Sequence, residues 1–171
     1  MPIIEFEGKK PQVHPSCYVA TGATLIGDVS LGEESSVWPG AVIRGDLNKV
    51  VIGARTSVQD NCVIHVTTEK PTLVGDDVIV GHRAIVHGCT VGSHVLVGMG
   101  SIILEDSVIE DWVIIAAGAV VTEGTYVPSG TLVAGVPAEI KRNLTARDRE
   151  AIKRGAESYI YLNRKYCGLN I

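Results

Sequence analysis

Aliphatic residues return at every sixth position along most of this chain, and this period restricts the fold more than any other feature. The anchors begin at Val13, Val19, Leu25, Leu31, Val37 and Ile43. They resume at Ile52, Val58 and Ile64, and again at Val74, Val80 and Val86. From Val91 they run through Val97, Ile103, Ile109, Ile115, Val121 and Val127 to Val133. A period of six does not fit the 3.6-residue helix, but it fits short strands of alternating side chains separated by turns. Hexads of this kind stack as a parallel β-helix, mainly β, in which each hexad is one side of a triangular coil and three close a turn. The anchor points inward and the next residue outward. Glycine often follows the anchor or comes two residues after it, where a corner needs positive φ. The chain is 46% apolar but only 5% aromatic, which suits a narrow prism filled with Val and Ile rather than a sandwich with an aromatic core.

Counting anchors sorts the outward residues onto faces. Ile43, Ile64 and Val86 are three anchors apart, so they share a face, and the residues after them are Arg44, His65 and His87. These three stack on successive coils, about 4.8 Å apart, and His65 and His87 can share one metal ion. The spacing is irregular around them. Ile43 to Ile52 holds three extra residues within R-G-D-L-N-K, Ile64 to Val74 holds four extra in a loop, and one residue is missing between Val86 and Val91. Loops inserted at a fixed corner of a solenoid often build its functional face.

His82 and Gln59 fall on the neighbouring face. Five residues of extended chain reach roughly 16 Å, while zinc–nitrogen bonds are about 2.0–2.1 Å. His82 therefore does not reach a metal held by His65 and His87 of its own chain, and a second chain has to supply it. Contact of one face with a neighbouring face is heterologous and closes as a ring, so the prism favours a homotrimer with metal sites at its interfaces. Three neutral imidazoles with one open position form the arrangement of a catalytic zinc, which lowers the pKa of bound water from 15.7 to about 7. Hydroxide is then available to attack a small electrophile such as CO2, with Gln59 orienting bicarbonate and Arg44 holding an anion or pairing with Asp46 across the interface. Without a metal, the same histidines would make a pH-sensitive interface by pairing with carboxylates.

The rest of the chain supplies a frame. Residues 1–143 are expected to form the repeat domain, with 1–12 as a strand or cap on the first coil. Residues 144–171 are expected to form a helix capped by Thr145 and packed along the prism through Ile152, Ala156, Tyr159 and Ile160. Tyr159 is a core or interface residue in this frame that could approach the mouth of the site. His14 and His94 have no histidine above or below them and are expected at the surface. Cys17, Cys62, Cys89 and Cys167 form no C-x-x-C pair and fit free thiols in a reducing compartment. Formal charge is -4 with no basic cluster, which argues against nucleic acid. The longest apolar run, Trp112 to Val121, is too short to span a membrane, and no signal peptide is evident at the N-terminus, so a cytoplasmic protein is expected.

R-G-D at Arg44–Asp46, Q-D-N at Gln59–Asn61 followed by His65, and G-H-x-x-x-x-H at Gly81–His87 together resemble the γ-class carbonic anhydrases, a likeness that extends to G-V-P-A at 135–138 and the terminal helix. The hexads and G-V-P-A are shared with acyltransferases; the three histidines with R-G-D and Gln are specific. The resemblance implies a left-handed β-helix and a trimer. It also implies zinc (alternatively iron or cobalt) bound by His65 and His87 of one chain and His82 of the next, and places Arg44, Asp46 and Gln59 around those ligands. The chain departs from the family's well-known members in two places. Their long acidic loop after the first histidine is here V-T-T-E-K-P-T, leaving Glu69 as the nearby carboxylate, and Leu47 stands where they carry a glutamate. Reversible hydration of CO2 to bicarbonate, slowed by the missing proton-transfer residues, is the expected function. A hexapeptide-repeat acyltransferase or acyl-CoA thioesterase would need one catalytic histidine and no metal. A non-catalytic trimeric metal-binding or assembly protein would bind metal without turnover.

Overall fold

A computed structural model describes residues 3–168. Its body is a parallel β-solenoid of about seven turns closed by one C-terminal helix. Parallel strands seventeen residues or more apart in the chain lie side by side. One sheet carries 18–19, 36–37, 57–58, 79–80, 96–97, 114–115 and 131–134 in register, ending on the antiparallel strand Glu139–Asn143. The other two faces are joined into a single twelve-stranded sheet because Thr24–Leu31 and Val42–Ile52 run unbroken around one corner.

Every anchor from Leu25 to Val133 is buried, while Val13 and Val19 pack on the core from the first coil. Beside Thr24–Leu31, Ile3–Ile4 adds a further parallel strand, and Phe6 and Lys9 exchange backbone hydrogen bonds. The insertion expected as a loop after Ile43 differs from that expectation. It belongs to the continuous strand Val42–Ile52, which pairs on both sides of the corner and shifts register between Gly27 and Val29 to bulge out the extra residues. Ladder hydrogen bonds on both flanks hold the insertion in extended backbone.

The helix Ala146–Cys167 starts in a capping box. The Thr145 hydroxyl accepts from the Asp148 N–H, and the Asp148 carboxylate accepts from the Thr145 N–H. Ile152 and Ala156 are buried against the sheet that carries 57–58 and 79–80. Further along, Asn163 continues the buried stripe with a polar side chain. Its amide donates to the Ser16 carbonyl and accepts from the Tyr18 N–H, fastening the helix to the first coil. Burying that amide is tolerated because both its ends are paired. No described helix is long and apolar enough to cross a membrane.

His94 is more than a surface residue. It stacks on Trp112 with ring centroids 4.2 Å apart, and Arg149 of the helix lies over the Trp112 ring.

Candidate metal centre

The repeat brings Arg44, His65 and His87 together. Ile43 pairs with Ile64, and Val86 and His87 pair with Ile64 and His65. The four extra residues before Val74 leave this register intact because they form a turn at one corner, closed by the Thr67 N–H on the Lys70 carbonyl. His65 Nδ1 lies 3.2 Å from His87 Nε2. Two nitrogens on one tetrahedral zinc, at bonds of about 2.0–2.1 Å, are separated by about 3.3 Å. The pair therefore already has the spacing of two ligands on a shared ion.

Asp46 sets the direction of this pair. Its carboxylate accepts from His65 Nε2–H at 2.9 Å and also pairs with Arg44 of the same chain, two residues away, rather than across an interface. A carboxylate only accepts, so the proton of His65 sits on Nε2 and the Nδ1 lone pair faces His87. Burial pushes the Asp46 carboxyl up, but the hydrogen bonds from His65 and Arg44 outweigh it and hold the carboxyl below its usual range. His87 is shifted down, by burial first and then by the neighbouring His65, which favours the neutral imidazole that a metal needs. Gly45 between Arg44 and Asp46 has a steric reason: a Cβ there would meet the Asp28 carbonyl oxygen of the preceding coil at 2.3 Å.

His82 lies on the next face, half exposed, and its Nδ1 is 2.9 Å from Asp60. That contact fixes Nδ1 as the donor and leaves the Nε2 lone pair facing outward. The Q-D-N segment makes this geometry. Gln59 leaves the strand outward, Asp60 reaches the coil above, and Asn61 takes the left-handed corner at φ 58° that asparagine tolerates. Gln59 Oε1 accepts from the His82 N–H at 3.1 Å. Tyr159 of the helix stands beside Gln59 with its ring edge on Trp38. Burial and then the Asp60 charge raise the Tyr159 phenol, against a smaller opposing effect of the Gln59 amide. Tyr159 thus sits with Gln59 and His82, on a different face from His65 and His87.

Within one chain, among the described residues, no three His, Cys, Asp or Glu side chains converge on a point. Cys62, close to His65 in sequence, points into the core, donates to the Gly81 carbonyl and has its thiol pushed up to about 11 by burial, so it is no ligand. The chain thus presents a pair of facing imidazoles on one face and, on the next, a single imidazole whose Nδ1 is held by Asp60. Asp60 escaped notice as a functional residue in the sequence, although it stands inside the Q-D-N motif. Its role depends on a rotamer, which spacing does not show.

Comparison with known proteins gives the chain's relatives. The family profile "Bacterial transferase hexapeptide (six repeats)" matches residues 88–123. A mitochondrial gamma carbonic anhydrase 2 of Arabidopsis thaliana is 41% identical over 95% of this chain, which spans about 60% of that relative's length. A carbonic anhydrase of Geobacillus kaustophilus is 41% identical, with 98% of this chain and 92% of the relative covered. Among solved structures, a hexapeptide transferase family protein from Anaplasma phagocytophilum superposes with a TM-score of 0.93 at 39% identity, covering 96% of this chain and 98% of that one. Likeness of this degree over nearly all of the chain, together with its hexads, shows that the chain belongs to the γ-class carbonic anhydrase family.

Proposed function

We propose that the protein is a zinc-dependent carbonic anhydrase, interconverting CO2 and bicarbonate as a cytoplasmic homotrimer with its metal sites between subunits. One observation carries this reading. His65 and His87 hold facing nitrogens 3.2 Å apart in one register, while His82 is turned outward by Asp60 on the adjacent face. Rotating copies about a threefold axis brings the outward imidazole of one chain against the paired imidazoles of the next. The carbonic anhydrase names of the relatives and the neutral-imidazole donor set support zinc chemistry; iron and cobalt accept the same nitrogens.

Zinc held by three imidazoles supplies Lewis acidity that makes hydroxide available near neutral pH. The chain's own residues do the rest. Asp46 keeps His65 in the ligating tautomer, Arg44 keeps Asp46 ionised, and Asp60 does for His82 what Asp46 does for His65. Gln59 presents its amide donor beside His82, where it can hold an oxygen of bicarbonate. Proton export rests on few groups. Leu47 is 56% exposed and carries no charge, and Glu69 lies with Glu105 and Glu123 around a surface pocket of about 330 Å3. Carboxylates gathered from three coils thus stand where the acidic loop of other members would be. An acyltransferase needs neither the paired nitrogens nor the carboxylate behind each imidazole.

The test is stopped-flow CO2 hydration by the zinc-loaded protein beside His65→Ala and His82→Ala. Activity in the parent alone is the expected result. Activity surviving either substitution would overturn the shared site, and an inactive parent holding one zinc per chain would overturn the enzyme assignment.

A further inference from the structure

The two stacked imidazoles stand on strands that end with them. Val63–His65 runs into the four-residue insertion, and Ile85–His87 turns at Gly88, whose φ is 58°. The cross-strand pairing that sets the register therefore stops at the residues whose side chains face each other. Asp46 orients the ring of His65, but among the described residues no carboxylate pairs with His87.

One buried side chain ties the two backbones together beyond that point. Thr72 lies two residues before the anchor Val74, points inward and is wholly buried. Its hydroxyl donates to the His65 carbonyl at 2.5 Å and accepts from the Gly88 N–H at 2.8 Å. The Gly88 N–H also reaches the His65 carbonyl, at 3.1 Å. The hydroxyl thus joins the peptide that follows one histidine to the peptide that follows the other. Those peptides set the ψ angle of each histidine, and with it the direction of each Cα–Cβ bond. Thr72 is held in turn by the solenoid, beside Val50 and next to Leu73, which pairs with both Val51 and Thr90. Ser35 makes a similar bridge at a corner away from the histidines, donating to the Gly53 carbonyl and accepting from the Thr56 N–H.

We propose that Thr72 is a positioning residue of the metal centre: its hydroxyl fixes the backbone of His65 against that of His87, so that the facing nitrogens keep the spacing of two ligands on one ion. The proposal rests on the reading of these histidines as ligands of one metal. A pair held in place loses less freedom when it binds, and that gain appears as affinity. Valine at position 72 fills the same space but bonds neither peptide; serine keeps both bonds.

The experiment is zinc affinity of the full-length protein by chelator competition, with urea unfolding of the same samples. Thr72→Val should bind zinc about tenfold more weakly than the parent, and Thr72→Ser should restore parental affinity. Ser35→Ala removes the matching bridge at the other corner; it should lower the urea midpoint and leave zinc affinity unchanged. Parental affinity in Thr72→Val would overturn the proposal. So would an equal loss in Ser35→Ala, which would mark a general effect of stability, or a loss in Thr72→Ser as large as in the valine variant. Should Thr72→Val not fold, Thr72→Ala is judged by the same outcomes. His65→Ala in parallel separates this proposal from the metal-centre reading. Parental affinity without His65 would remove the shared ligands themselves, whereas zinc lost without His65 but kept in Thr72→Val would remove the role of Thr72 alone.

Discussion

The coils from Val91 to Val133 and those from Ile43 to Val91 share one architecture but differ in regularity. In the later coils every anchor follows the last by six residues, and the outward positions are short strands and corners. In the earlier coils each irregularity borders a residue of the candidate site: the bulge after Ile43 follows Arg44 and carries Asp46, the turn at Thr67–Lys70 follows His65, and the missing residue comes after His87. Yet the ladder is unbroken in both regions, and His65 pairs with His87 across 22 residues as cleanly as Ile103 pairs with Val121 across eighteen. The hydrophobic column sets the register, and the corners absorb differences in length. A site can therefore be elaborated at a corner while its ligands stay in step.

That contrast can be broken first by insertion. One glycine placed between Ile102 and Ile103 turns an anchor outward, and the protein should lose its cooperative thermal transition. Doubling the Thr67–Lys70 turn should cost only about 0.6 kcal/mol by loop-closure entropy, read as a small shift in urea midpoint. The second test concerns the two half-sites. His65→Ala and His82→Ala should each be inactive, but unfolding and reassembling them together at equal amounts should restore about a quarter of parental CO2 hydration. Three-quarters of random trimers are mixed, and each mixed trimer holds one intact site of three. No recovery would place all ligands within one chain or none at the interface. A smaller effect is expected from Asp46→Asn, which keeps the shape but loses the charge that holds the His65 tautomer. Zinc affinity, measured by chelator competition, should fall about 10–100-fold. The smallest is at the helix. Thr145→Ala should cost about 1 kcal/mol. Asp148 is held below its usual range by Arg142 and Thr145, so its share of stability is present above the unfolded carboxylate value of about 3.9 and is lost as pH falls through the folded value. Acid titration of Asp148→Asn should lack that loss.

The faces of the prism were legible from arithmetic alone. Six-residue counting stacked Arg44, His65 and His87, and set Gln59 and His82 on the next face, because an outward position in a pleated coil is fixed by its distance from the anchor. Rotamers and partners were not legible. Nothing in the spacing shows that Asp60 grips His82, that His94 stacks on Trp112, or that Asn163 continues the buried stripe of the helix with a doubly bonded amide. Nor did the count reveal that the insertion after Ile43 stays in extended backbone, since that depends on hydrogen bonds from the coils on either side. A cleft of about 440 Å3 between the helix and the sheet was also hidden, because it is made by small residues on two elements far apart in sequence, Gly81, Gly98 and Ala116 on one and Ala151 and Gly155 on the other.

The extrusion of extra residues at a single corner has a consequence for inheritance. Length changes at the Thr67–Lys70 turn leave the pairing of His65 with His87 in place, so descendants of such a chain can lengthen or shorten that turn in one mutational step. The surface beside the turn is then free to drift, or to be selected, while the stacked histidines are inherited in step.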